Sequence, residues 1–539
     1  MRFQKAKASF FRVLFRKGGS YNNTMKSKAH QSTTKNTVLT TASFVTALSV
    51  AERGLGFLYR IVLSRLIGAE GLGLYQVALS LFAVFLTIGT GGIPITVSRL
   101  ISKSKAENNP AGERSAVAAG IALCVLFTLP VLLILLPFAP KLTLLFSDER
   151  CVPVFRILLL GLLLSAIYAV FRGHFWGNKN FLTPSILEIA EETVMVIAGV
   201  LLLRSVDGSF DGARKAAWAV VISYAFSFTA SLLCFLWSGG RLSSPKKQLK
   251  PLFNATLPIT SVRASGSLVN SAIAVLLPAM LVRAGFSEGD ALTLFGVVSG
   301  MAMPVLFIPS TVIGSLSLVL VPELSEDFYR HNTERLYKNL ARGLSVSFLV
   351  ACALAPFFYV LGDDLGRLAF SEPLAGEYIR KGSPILLPMS LTMISTGMLN
   401  SMGFERQTFV YYFVGAAAML LCILLLPAVC GAGAYVIGLI VSYILTAACN
   451  LVFLGKKCKG LYRGLLKSSL RPLLRVLIAC FPLALVGELI CSLFQTLFGE
   501  VFATLATAAA LGILTLALYA LMGILPLKSL FRRKKRKTA

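Results

Sequence analysis

Runs of about 20 consecutive apolar residues, separated by short polar or Gly/Pro-containing stretches, recur along the whole chain. Each is long enough to cross a hydrocarbon core of about 30 Å as an α-helix. The pattern predicts fourteen spans, centred roughly on residues 52, 84, 126, 163, 192, 226, 270, 307, 350, 391, 418, 444, 484 and 514. Membrane-spanning strands would show as alternating stretches of about ten residues, and these runs are continuous. The predicted fold class is an all-α polytopic membrane protein with about 14 transmembrane helices. Composition agrees: of 539 residues, 56% are hydrophobic and 14% charged, with a mean hydropathy of +0.77. That leaves little chain for a soluble domain.

Charge sets the expected orientation. Of the 52 Lys and Arg residues, 38 fall in predicted inner segments and nine in predicted outer loops, which places both termini in the cytoplasm. The net charge of +28 and the tail KSLFRRKKRK raise the question of a nucleic-acid partner. The tail follows the last span directly, where polybasic segments meet anionic lipid headgroups, so no nucleic acid is expected and membrane lipids are. The first 36 residues hold nine basic residues and no acidic one. MRFQKAKASFFRVLFRK at their start reads as an interfacial amphipathic helix, with translation beginning at Met25 as the alternative. Ten cysteines are scattered without a CxxC pair, and His30, His174 and His331 are far apart, so neither disulfides nor a metal site is expected. No loop between predicted spans exceeds about 25 residues, too little to position catalytic acids, so an enzyme is not expected. Asp363 and Asp364 read as a solvated outer-loop pair.

An internal repeat is visible. A shift of 218 residues lays Leu63, Arg65, Glu70 and Gly71 on Leu281, Arg283, Glu288 and Gly289. Further on, LLFSDE at 144–149 meets LAFSEP at 368–373, and a glycine follows the serine by 26 residues in both copies, at Gly173 and Gly397. The expected domains are a basic tail (1–36), an N-lobe of six spans (37–240), a C-lobe of six spans (251–458), two extra spans (471–527) and a second basic tail (528–539). Six is even, so the two lobes should be related by an axis along the membrane normal.

Several spans carry polar residues where lipid is expected. Thr46, Ser49, Arg53, Gly56, Arg60 and Ser64 step by three and four residues and form one stripe on a helix. An arginine at the bilayer centre costs about 2.5–3.5 kcal/mol on insertion scales, so Arg53 and Arg60 should face protein or a wet cavity. Substrate contact is one role for them; a structural ion pair or a snorkelling anchor is the alternative. Glu52 lies about 100° round the helix from Arg53 and is expected to meet another helix. In the seventh span Thr260, Arg263, Ser267, Asn270 and Ala274 form a second stripe, with Arg263 and Asn270 as cavity candidates. In the fifth span Glu188, Glu191 and Glu192 share one side of a helix. Three carboxylates in a low dielectric need a bound Na+, protons or arginine partners; ion coupling, ion pairing and shallow placement are the three readings. Helix breakers cluster in GTGGIP at 89–94 and MAMPVLFIPSTVIGS at 301–315, making Gly91, Gly92, Pro94, Pro304 and Pro309 candidate hinges. Beyond a coupling ion, no cofactor is expected.

The stretches RGLGFLYRIVLSRLIGAEGLGLYQ (53–76), GGIPITVSRLISK (91–103) and RGHFWGNKNFLTPSILEIAEE (172–192) resemble the polysaccharide-exporter branch of the multidrug/oligosaccharidyl-lipid/polysaccharide (MOP) superfamily, on the side of its sporulation proteins and lipid II flippase-like members. The resemblance covers about 37–525. It implies two six-helix lobes in a V shape, two extra C-terminal helices, and alternating-access movement of an undecaprenyl-diphosphate-linked saccharide from the inner to the outer leaflet. The product would serve cell-wall or spore-cortex synthesis, with cell-wall synthesis enzymes as the implied partners. In the lipid II flippase branch cationic cavity residues hold the diphosphate, and Arg53 matches the first of them through its R-x-L-G-F context. A second is displaced, with Tyr59 in its place and Arg60 following. Near 308–310, where that branch carries another cavity arginine, this chain has Met303 and Pro304. These departures favour the sporulation side of the branch. A cation-coupled multidrug exporter of the same superfamily is the competing reading.

Overall fold

The structure is a computed structural model that describes residues 29–138, 143, 146–458, 470–497 and 499–522. Most of the N-terminal basic tail and the whole C-terminal one therefore lie outside the described residues. The described regular elements are all helical. The chain divides into two compact units, Met1–Val275 and Leu276–Ala539.

The first unit contains α1 (Ala29–Thr90), α2 (Ile93–Ala106), α3 (Pro110–Phe138), α4 (Cys151–Leu160), α5 (Leu162–Gly177), α6 (Leu182–Leu202), α7 (Ser209–Trp237) and the greater part of α8 (Lys246–Arg283). The second continues with α9 (Glu288–Phe295), a π-helical segment (Gly296–Ala302), α10 (Met303–Leu306), α11 (Ile308–Tyr329) and α12 (Thr333–Leu365). It ends with α13 (Pro373–Gly382), α14 (Leu386–Ser401), α15 (Glu405–Leu425), α16 (Pro427–Cys430), α17 (Gly433–Lys457), α18 (Leu470–Leu497) and α19 (Glu500–Leu521).

Among the described residues eleven helices are long and apolar enough to cross a membrane, or twelve with α4 and α5 counted as one bent span. The fourteen predicted centres all fall on helices except 307, where Phe307 separates α10 from α11. The two counts differ for physical reasons. Residues 47–106 form one run of 60 residues, about 90 Å of helix and more than one crossing needs; Gly68 (φ 72°, ψ 177°) breaks it. The α6 helix is 21 residues long, and its three glutamates keep it from reading as a simple apolar span.

Lipid tails are as apolar as leucine, so helices within a bilayer gain by close packing more than by burial. In the first unit α2 lies on α5, α6 pairs with α7, and α1 packs against both α6 and α7. Ile93, Val97 and Ile101, one face of α2, interdigitate with Leu123, Val170 and Phe171. In the second unit α11 lies on α14, and Leu336, Leu340 and Leu344 of α12 meet Ile394 and Met398. The two repeat glycines sit at corresponding crossings. Gly173 of α5 lies against the Pro94 backbone of α2, and Gly397 of α14 against Ser317 of α11.

The first copies of the repeat motifs also meet. Arg150 Nη2 is 2.7 Å from both Glu70 Oε1 and Asp148 Oδ2, tying the end of the first motif to the FSDE segment. Among the described residues, Glu288 and Glu372 of the second copy form no ion pair.

The candidate hinges occupy defined places. Gly91 and Gly92 separate α1 from α2, and a Cβ on Gly92 would lie 2.7 Å from the Thr256 carbonyl oxygen, so glycine permits the approach of α8. Pro94 and Pro309 each stand in the first turn of a helix, where the missing N–H has no intrahelical partner to lose. Pro94 and Pro309 start helices, whereas Pro304 lies within the continuous helical run Glu288–Leu306, just after its π-helical segment.

Asp363 and Asp364 correct one expectation. Asp364 is 2% exposed and accepts hydrogen bonds from Arg367 (2.7 Å), Gln495 (3.0 Å) and Thr504 (3.3 Å), which fastens α18 and α19 to α12. Arg380 pairs with Asp363 and Glu488 beside it. The pair is a structural clasp, and sequence spacing could not show that the last two helices would cover it.

Candidate functional site

The first unit contains a polar cavity of about 210 Å³ walled by α1, α5, α6 and α7. Glu188, Glu191 and Glu192 all line it, as their spacing of three and four on α6 dictates. Glu52 of α1 joins them. Tyr168 and Arg172, one turn apart on α5, complete the wall with Tyr224 of α7.

Arg172 is the cation of this cavity. Its Nη1 is 3.1 Å from Glu188 Oε1, and its guanidinium lies 5.9 Å from the Tyr168 ring centroid and 5.2 Å from that of Trp176. The residues are at i−4 and i+4 on α5, so one helix face holds the guanidinium between two aromatic rings. The other carboxylates are less well supplied: Glu192 Oε2 is buried without a hydrogen-bond partner, and Glu52 and Glu192 form no ion pair among the described residues. Tyr168 is 5% exposed and its Oη is also unpartnered. Four carboxylates around one guanidinium carry a formal charge of −3 when all are ionised.

The first-span stripe does not present one uniform face. Arg53 is exposed, Arg60 is half-buried, and Ser64 is buried, its hydroxyl donating to the Ile61 carbonyl at 2.8 Å. Gly56 faces α6, where a Cβ would sit 3.7 Å from Glu192 Oε2. The side chain of Thr46 lies outside the described residues. Among those residues neither Arg53 nor Arg60 has a carboxylate within ion-pair distance, whereas Arg150, Arg172, Arg367 and Arg380 each do. Tyr59, beside Arg60, is buried at 4% exposure in the groove left by Gly199, whose Cβ would lie 2.6 Å from Tyr59 Cε2.

The second stripe divides into two lines. Thr260, Ser267 and Ala274, seven residues apart, face protein: Gly92 N donates to Thr260 Oγ1 at 3.0 Å, Ser267 Oγ is 2.8 Å from Thr87 Oγ1, and Ala274 is 2% exposed. Arg263 and Asn270, also seven apart, are exposed, and Arg263 has no ion pair among the described residues.

Sequence reasoning missed Arg172 and Tyr168, although Tyr168, Arg172 and Trp176 at spacings of four mark one polar-aromatic face. It also left Glu52 outside the acidic group, although the turn of about 100° from Arg53 is what sends it there.

Comparison with known proteins fits this architecture. The profile of the polysaccharide biosynthesis protein family matches residues 38–328. Stage V sporulation protein B of Bacillus subtilis (strain 168) is 25% identical over 367 residues, 66% of this chain and 70% of that protein. The lipid II flippase MurJ of the same organism is 22% identical over 400 residues, 68% and 73% of the two chains. A solved lipid II flippase MurJ, in an inward closed conformation, superposes with a TM-score of 0.68 at 13% identity, covering 89% of this chain and all of the other. The all-helical, multi-pass fold and the family match over more than half the chain together make this protein a member of the polysaccharide biosynthesis protein family, within the MOP superfamily.

Proposed function

We propose that this chain is a flippase that carries an undecaprenyl-diphosphate-linked saccharide from the inner to the outer leaflet by alternating access, both termini being cytoplasmic. The saccharide would feed cell-wall or spore-cortex synthesis on the outer side. One observation carries the reading: Arg53, Arg60 and Arg263 lie in helices that cross the membrane and have no carboxylate within ion-pair distance among the described residues, in contrast to Arg150, Arg172, Arg367 and Arg380. A cation in such a helix is costly without a partner, and a diphosphate matches the planar fork of arginine. Asn270, exposed about two helical turns from Arg263, adds an uncharged donor for the headgroup. The lipid tail stays in the bilayer while the head crosses. The relatives named for sporulation and for lipid II flipping support the substrate class.

Glu52, Glu188, Glu191 and Glu192 serve in this reading as the ion-coupling site, taking up Na+ or H+ against their surplus negative charge. Gly91, Gly92, Pro94, Pro304 and Pro309 mark the segments about which helices reorient. The same carboxylate cavity is what favours the second reading, a cation-coupled multidrug exporter.

Reconstitution into vesicles with a labelled undecaprenyl-diphosphate saccharide separates the two. Headgroup label should become accessible on the opposite leaflet, and Arg53→Ala should abolish this while inserting normally. Export of ethidium-like cations with no headgroup movement would overturn the flippase reading in favour of the exporter.

A further inference from the structure

The first unit has a second, larger cavity of about 540 Å³ that the proposed transport site does not use. It opens where α2 ends, α3 and α6 begin, and α5 and α7 end, on the segments that the Lys and Arg bias assigns to the cytoplasmic face. Its size suits a small-molecule ligand. We infer that this cavity is a binding site for a phosphate-ester anion presented at the cytoplasmic surface.

Three observations converge. Lys105, Arg114 and Arg241 line the cavity against one carboxylate, Glu113, and none of the three cations has an ion-pair partner among the described residues. The neighbouring Lys103 and Glu107 satisfy each other at 3.8 Å. Surplus cations around a concave site concentrate anions.

The second observation is a buried polar group with an unmet need. His174 is 8% exposed and lines the cavity, its ring held edge-on between Phe175 and Phe235 at centroid distances of 5.5 and 4.9 Å. Both ring nitrogens face the same atom, Asn178 Nδ2, at 3.4 and 3.3 Å. That nitrogen also donates to the His174 carbonyl at 2.8 Å, which fixes it as the amide donor. A neutral imidazole always carries one N–H, so one donor here faces a donor and has no acceptor among the described residues. An anionic oxygen in the cavity supplies it.

Third, Trp237 lines the cavity at the end of α7 and is 61% exposed. A tryptophan at a helix end marks the depth of the lipid headgroups, and basic pockets between helices at that depth hold phosphate groups. The phosphate has two sources, the headgroup of an anionic lipid or a soluble phosphate, and both meet the same residues.

Thermal unfolding of the full chain in mild detergent distinguishes them. Phosphatidylglycerol should raise the unfolding midpoint where phosphatidylcholine does not. A matching rise with inorganic phosphate identifies the soluble source, and its absence identifies the headgroup. In either case the R114Q/R241Q variant, altered only at exposed side chains, should unfold at the wild-type midpoint in phosphatidylcholine and need about 30-fold more ligand for the same rise, about fivefold for each surface cation. K105Q, a milder change, should need about fivefold more. The inference is overturned when neither anion raises the wild-type midpoint, or when the variants respond as the wild type does. The residues probed are separate from Arg53, so failure here leaves the flippase reading standing.

Discussion

Replacement of Arg172 tests the charge arrangement of the carboxylate cavity most directly. Arg172 Nη1 and Glu188 Oε1 are 3.1 Å apart, and their side chains are 29% and 21% exposed. At an effective dielectric constant of about 20 the gross attraction is about 5 kcal/mol, most of which desolvation offsets. Stacking between Tyr168 and Trp176 adds about 0.5–2 kcal/mol per ring. R172Q removes all of this and strands Glu188 among Glu52, Glu191 and Glu192. Its cost should reach about 3 kcal/mol, the lower end for breaking a buried pair, because both groups retain some solvent contact. E188Q should cost less, since the guanidinium keeps its two aromatic neighbours and still faces three carboxylates. The double variant R172Q/E188Q should then recover stability, with a coupling of about 1–3 kcal/mol. Unfolding titrations in mixed micelles for wild type, both single variants and the double variant close the cycle. Additivity within about 0.5 kcal/mol would show that the two groups do not act as a pair and would remove Arg172 from the site.

Two further outcomes follow from the packing. G199A places a methyl group against the Tyr59 ring and should destabilise the α1–α6 contact by about 1–3 kcal/mol, whereas in a Y59A background the same change should cost little, as thermal unfolding of Y59A and Y59A/G199A will read. D364A leaves Arg367, Gln495 and Thr504 without their shared acceptor and should cost about 3 kcal/mol, a loss measurable as a lower unfolding midpoint and absent in the exposed-site control E377Q.

Helix type, the centres of thirteen of the fourteen expected spans and the acidic face of α6 were legible in the sequence because each depends on local periodicity. Continuous apolar runs give spans, and spacings of three and four place Glu188, Glu191 and Glu192 together whatever the neighbours are. The partners were less legible. Nothing in the spacing of α6 says that Arg172 of α5 will meet Glu188, because helix adjacency is set by packing over the whole unit. The stripes show a related limit. Thr260, Arg263, Ser267, Asn270 and Ala274 are equivalent on a helical wheel, yet one line meets α1 and α2 while the other stays exposed. Which flank of a polar stripe is covered depends on how the neighbouring helices cross it. Asp364 fails the sequence reading for the same reason: beyond nearby Arg367, its partners Gln495 and Thr504 come from helices more than 120 residues away.

The two charge groups meet on α1. Glu52 and Arg53 are adjacent, and the helical turn of about 100° sends the carboxylate into the α5–α6–α7 cavity and leaves the guanidinium exposed. Mutual neutralisation would have been the cheaper arrangement in a membrane, where each unpaired charge costs several kcal/mol. The proposed flippase gives each group a counterpart of opposite sign, Na+ or protons for the four carboxylates and a diphosphate for the arginines. Under that proposal a ligand bound at either group would act on the same helix that presents the other, which would couple an ion to the movement of a diphosphate headgroup.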